Sequence, residues 1–390
     1  MDHCSFYSYS TCMLRSGLSC LLFLLAMRIF SPLCSAEELD PSMKRAERIA
    51  AAMDDRLLAG QVLLTGLDGN GTLPEAMRSL LRNLAPGGVM LFRMNLNMDK
   101  THIGGFLKTV SDLAAESGIP PFMAVDHEGG MVHRFGAGVE RLKPPLSYWE
   151  MAQKSGRDHA LKTIEEDAVR SGREIRSLGI SLNLAPVAEI LTDENKTFLE
   201  DRSYGPDPAF VERAVGAFIR GMTAANVACV VKHFPGNSGT DPHQAASVLR
   251  DDWEALNKTV RPFAGIISGE RPAGVMVSHV IVDAWDAGVN ASRSQAVISV
   301  WLRKNLDFRG IVLGDDFSMG AISAAGLREE DAVIEALNAG VDMVMTWPRS
   351  LSRVHRAILR ALNEGRLKRE RLLEAASRII YEKIRCGLME

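Results

Sequence analysis

The run VVKHFPGNSGTDPH, residues 230–243, sets Lys232, His233, Asp241 and His243 in one loop after an apolar stretch. Side chains two apart in an extended segment point the same way, so Asp241 can hydrogen-bond one ring nitrogen of His243. That contact would fix the tautomer and raise the basicity of the ring, leaving the other nitrogen to deliver or take a proton. A second concentration of ionisable groups closes another apolar run, in LGDDFSMG, with Asp315 and Asp316. An acidic pair at such a place can cap the next helix, because carboxylates favour helix N-termini, and this is the preferred reading of Asp316. The same position can also present a carboxylate for chemistry.

These groups need a frame. Eight short apolar runs follow one another at 61–66, 87–92, 121–126, 181–187, 228–234, 274–280, 310–316 and 340–346. Most lack strict alternation, as strands buried on both faces do. Segments such as LPEAMRSLLRNL and PAFVERAVGAFIRGM lie between them and carry apolar residues at three- and four-residue spacing, which predicts helices. Asp207-Pro208 and Ser294 have the chemistry of helix starts. Repeated β–α alternation predicts an α/β protein, a single (β/α)8 TIM-type barrel. The rival is a doubly wound open sheet, but no GxGxxG opens a helix after the first strand. Within the barrel reading, Asp126, Lys232, His233, His279, Asp315 and Asp316 all fall at or just past the C-terminal ends of strands. That is the face on which barrels assemble active sites.

The chain has 390 residues, 46% hydrophobic and 24% charged, which is ordinary globular composition. A net charge of −3 gives no electrostatic reason to expect a nucleic-acid partner. At the N-terminus, Arg15 precedes SGLSCLLFLLAM, too short to span a bilayer and fitting the h-region of a secretory signal. CSA at 34–36 offers a cleavage site, so residues 1–36 are expected to be a signal peptide and residues 37–390 the catalytic barrel. Lipid attachment at Cys34 is the alternative. Either way the expected location is outside the cytoplasm, free or anchored to the envelope. Of six cysteines, four lie in this leader. Cys229 and Cys386 remain, with no disulfide or metal spacing, and Cys229 is expected to be a buried small hydrophobe.

The motifs GGVMLFRMN, VDHEGGMVHRF, LNLAPVAEI, DRSYGPDP, KHFPG with a following DPH, VMVSHVI and GDDFSMGAI occur in this order. Together they resemble glycoside hydrolase family 3, in its single-barrel NagZ-type β-N-acetylglucosaminidase branch, over about residues 55–385. The resemblance implies that Asp315 is the nucleophile and that His243 is the general acid/base, oriented by Asp241. It implies substrate-binding roles for Asp126, Arg134, Arg202, Lys232 and His233, no metal and no cofactor. The implied substrate is a glycan or muropeptide ending in β-linked N-acetylglucosamine, cleaved with retention through a covalent glycosyl-enzyme. Departures from the family pattern are Asn237 in place of a second loop histidine, a loop about two residues shorter, Met131 for arginine, Gly314 for serine or threonine, and Glu189 for aspartate. Two other readings compete: a phosphorylase in which phosphate replaces water, and a non-catalytic sugar-binding envelope protein on the same scaffold.

Overall fold

In the computed structural model, which describes residues 40–239, 247–249 and 253–390, the eight expected strands all form. They are β1 (Leu63–Gly66), β2 (Gly88–Leu91), β3 (Phe122–Val125), β4 (Leu182–Asn183), β5 (Ala228–Phe234), β7 (Gly274–Val277), β9 (Ile311–Gly314) and β10 (Met343–Thr346). Two short strands, β6 (Val248–Leu249) and β8 (Ile281–Val282), pair separately in parallel. The eight principal strands run parallel in sequence order, and Leu63–Thr65 of β1 pairs with Val344–Thr346 of β10 to close the barrel. That closure rules out the open-sheet alternative. The leader, including Cys34, lies outside the described residues, as do Asp241 and His243.

The strands carry no alternating pattern because both faces are covered. Val89, Leu91, Phe122, Val125, Val275 and Val312 are all buried, some toward the barrel interior and some toward the helices. The helical layer starts where the sequence places its caps. The Asp207 carboxylate accepts from the Ala209 amide ahead of the helix Pro208–Thr223. Ser294 Oγ accepts from the Val297 amide at the head of Ala296–Asn305, which winds as a π-helix. The helix Pro208–Thr223 packs closely on Arg157–Ser177. A Cβ at Gly221 would stand 2.6 Å from the Ala168 side chain, so only glycine allows that approach. Cys229 is buried and free, as expected, and so is Cys386.

One irregularity matters for the site. Along the β5–β7 ladder, Val231 pairs with Val275 and Phe234 with Val277, so β5 spends one more residue than its partner. The extra residue is a bulge at Lys232–His233. Bulges break the strict alternation of side chains, and here two consecutive polar residues are both put to use.

Candidate active site

Asp126 leaves the end of β3 and meets Lys232, at the end of β5, with 2.7 Å between Oδ1 and Nζ. Its other oxygen accepts from Arg134 Nη2 at 3.3 Å. Two residues on, and therefore on the same side of the extended chain, Glu128 takes the same lysine at 2.7 Å. Glu128 also receives both Nε and Nη2 of Arg202, at 2.8 and 3.0 Å. Lys232 is thus held between two carboxylates and Glu128 between two cations. Burial alone would raise the carboxyl pKa of Glu128, but Lys232 and Arg202 hold it far below the usual carboxylate range. Burial would equally lower the amine of Lys232, and Asp126 and Glu128 reverse that, so its charge persists.

The tight turn that brings Asp126 and Arg134 together runs from Gly129 to Val132, whose amide donates back to the Gly129 carbonyl at 3.0 Å. Gly129 and Gly130 have φ of 102° and 55°, which only glycine adopts cheaply. A Cβ on Gly130 would also stand 2.7 Å from Asp201 Oδ2. Met131, at the tip of this turn, is 55% exposed, so its departure from arginine alters the rim and leaves the charged cluster intact.

On the opposite wall, the β9 strand delivers Asp315 and Asp316. Burial pushes the Asp315 carboxyl up, but His233, the Asp316 amide and Lys232 pull it below its ordinary value. The outcome is an ionised carboxylate beside the cationic half of the site. The Asp316 amide donates to Asp315 Oδ1 at 2.8 Å, fixing the orientation of that carboxylate. Asp316 itself does structural work. Its Oδ1 caps the Ser318 amide at 2.8 Å and its Oδ2 accepts from Trp347 Nε1 at 2.8 Å. Gly314 is explained by the same turn, because a Cβ there would lie 2.6 Å from the Phe317 ring.

His279 is fully buried. Its Nε2 donates to the Asp316 carbonyl at 2.9 Å, and its Nδ1 therefore accepts from Ser292 Oγ at 2.7 Å. Burial lowers its pKa, so the ring stays neutral and braces the β9 turn. His233 faces Glu189 instead, with 2.6 Å from Nδ1 to Oε1.

The structure therefore gathers Asp126, Arg134, Arg202, Lys232, His233 and Asp315 at one mouth. Glu128 and Glu189 belong there too, beyond the residues that the family resemblance implies. The two-residue spacing of Asp126 and Glu128 was an available signal for the first. Nothing in the sequence pairs Glu189 with His233. Arg134 Nε is buried without a hydrogen-bond partner among the described residues, a donor left over for whatever fills the mouth. Such a constellation suits a polyhydroxylated ligand: cations and carboxylates to fix hydroxyls, and one oriented carboxylate able to attack an electrophilic carbon.

The chain is similar to known proteins in sequence and in fold. Residues 58–381 match the glycosyl hydrolase family 3 N-terminal domain. A beta-hexosaminidase of Tolumonas auensis is 33% identical over 274 residues, covering 69% of this chain and 77% of that relative. The structure of a family 3 beta-N-acetylglucosaminidase from Paenibacillus sp. str. FPU-7 superposes with a TM-score of 0.81 at 28% identity, covering 86% of this chain and 63% of that one. LpqI of M. tuberculosis superposes with a TM-score of 0.74 at 28% identity, covering 86% of this chain and 95% of its own. With its closed barrel, its oriented carboxylate at the end of β9 and these relatives, the chain belongs to glycosyl hydrolase family 3 and is a glycoside hydrolase.

Proposed function

We propose that this chain is a retaining exo-β-N-acetylglucosaminidase that removes terminal β-linked N-acetylglucosamine from peptidoglycan-derived fragments. The observation that carries the chemistry is the ionised, oriented Asp315 facing the cluster of Asp126, Glu128, Arg134, Arg202 and Lys232. In this reading the cluster binds the sugar hydroxyls and Asp315 attacks the anomeric carbon. The bond from that carbon to the aglycone oxygen breaks as protonated His243 gives its proton to the leaving oxygen. Water then attacks the glycosyl ester, His243 takes a proton from it, and the sugar leaves with retained configuration. Asp241 orients His243. No metal or organic cofactor enters any step.

The leader supports work outside the cytoplasm, with residues 1–36 removed or Cys34 lipidated and residues 37–390 forming the working barrel. Envelope glycan turnover, with muropeptides as substrates, follows from that setting.

The test is product analysis on muropeptides and on a chromogenic β-N-acetylglucosaminide, with and without phosphate. Free N-acetylglucosamine at a phosphate-independent rate supports hydrolysis. Phosphate-dependent sugar 1-phosphate would make the chain a phosphorylase, and no turnover would leave a sugar-binding protein. His243→Ala is expected to slow natural substrates much more than substrates with good leaving groups, which need little protonation. Equal loss on both would remove His243 from the acid role.

A further inference from the structure

Glu189 is 1% exposed and sits past the end of β4, on the stretch that bridges to β5 through Val187 and Lys232. Both of its carboxylate oxygens are occupied from a single segment of chain. Oε1 meets His233 Nδ1 at 2.6 Å and accepts from Asn237 Nδ2 at 3.2 Å. Oε2 accepts from the Asn237 backbone amide at 2.6 Å. Between these two residues, the Gly236 amide closes the turn onto the His233 carbonyl at 2.6 Å. Arg202 lies close enough to feel the charge of Glu189, and His233 is close enough to lower the carboxyl pKa of Asp315.

A carboxylate whose two oxygens already accept from N–H donors can offer Nδ1 only another acceptor. Nδ1 of His233 must therefore carry its hydrogen, and Nε2 is the nitrogen left for the occupant of the mouth. Asn237 shows how strong this demand is. Its amide nitrogen turns to Glu189, and its Oδ1 stays buried with no partner among the described residues. Glutamine at 189 could not do the same. Its amide would set a donor against either the Asn237 amide or the imidazole N–H, and a buried donor without an acceptor is costly.

We infer that Glu189 is a positioning residue: it locks His233 in the Nδ1-protonated form, with Nε2 turned to the sugar, and pins the turn His233–Asn237 as one unit. The inference rests on the function proposed above and on the substrate-binding role that the family resemblance implies for His233. It supplies a reason for a buried acid beside the sugar cluster that itself makes no contact with the cations there.

Selective 15N labelling of the nine histidines, with His233→Ala to assign the signal, reads the tautomer directly. The wild-type ring is expected in the Nδ1–H form, and Glu189→Gln is expected to shift it toward Nε2–H. A wild-type ring in the Nε2–H form overturns the inference whether or not any variant folds. In kinetics on the chromogenic β-N-acetylglucosaminide, Glu189→Gln is expected to lower kcat/KM by about 30-fold. Combining it with His233→Ala should add little to the loss from His233→Ala alone, because one residue acts through the other. Glu189→Asp should recover part of the loss. Multiplying losses in the double variant, or kinetics of Glu189→Gln within about two-fold of wild type, would overturn the inference. A wild-type protein that cleaves no glycoside would instead defeat the proposed function, and the tautomer would remain measurable.

Discussion

The barrel buries charge at both ends, and the two ends use it differently. At the mouth, Lys232, Arg202, Asp126 and Glu128 interlock, yet Arg134 Nε beside them has no partner among the described residues. At the base, Asp342 precedes β10 and is fully buried among three guanidinium groups. Arg303 and the Val312 amide bind one oxygen, and Arg371 and Arg378 bind the other at 2.5 and 3.0 Å. Burial raises the Asp342 carboxyl, but the three arginines win and bring it down to about 2. None of these base atoms is among the buried unpartnered groups. A satisfied cluster locks elements together, here the C-terminal helix Arg369–Arg385 against the barrel. A cluster with a spare donor waits for a ligand. Buried charge alone therefore does not mark a site; its end of the barrel and its unmet valence do.

Three substitutions test that contrast. The largest effect is expected from Asp315→Asn, which removes the attacking oxygen and should cut kcat by at least about 10⁴-fold with the thermal midpoint little changed. Steady-state rates and a melting curve on the same sample check it, and retained activity would remove the mouth from the chemistry. Asp342→Ala should do the reverse. Leaving three buried guanidiniums uncompensated should cost about 3–5 kcal/mol of stability, read by urea unfolding, with kcat of the folded protein unchanged. A fall in kcat at full folding would erase the distinction between the two ends.

The smallest effect concerns Lys383, also near the base, whose buried amine donates to Gln61 Oε1 at 2.8 Å and lies 5.5 Å from the Phe122 ring centroid. Burial depresses its pKa from 10.5 to about 7. The unfolded chain therefore binds the extra proton between those values, so this residue makes stability rise as pH rises from about 7 toward 10.5. Lys383→Met should flatten that rise and stabilise the protein at pH 7 by about 1 kcal/mol. Unfolding midpoints across the pH range provide the measurement, and an unaltered slope would refute the assignment.

Much of this was legible before any coordinates. Apolar runs without alternation located all eight barrel strands, and the polar residues at their ends located Asp126, Lys232, His233 and Asp315. Asp316 as a capping residue was equally readable, since a carboxylate after a strand and before a helix meets free amides there. Glu128 was half legible, through its two-residue spacing from Asp126, but its second partner Arg202 lies 74 positions away; Glu189 was not, because its partner His233 lies 44 positions away. The bulge that turns Lys232 and His233 to separate carboxylates also left no mark in the local pattern.

The sequence by itself determined the order of strands and helices and the end of the barrel where ionisable groups collect, because periodicity and burial are local consequences of side-chain type. Only the tertiary structure decided which carboxylate holds which cation, which ring nitrogen keeps its hydrogen and which donor stays unmet. Those are properties of pairs brought together by closure of the sheet. Their energies depend on distance and desolvation, quantities that a linear order of residues does not contain.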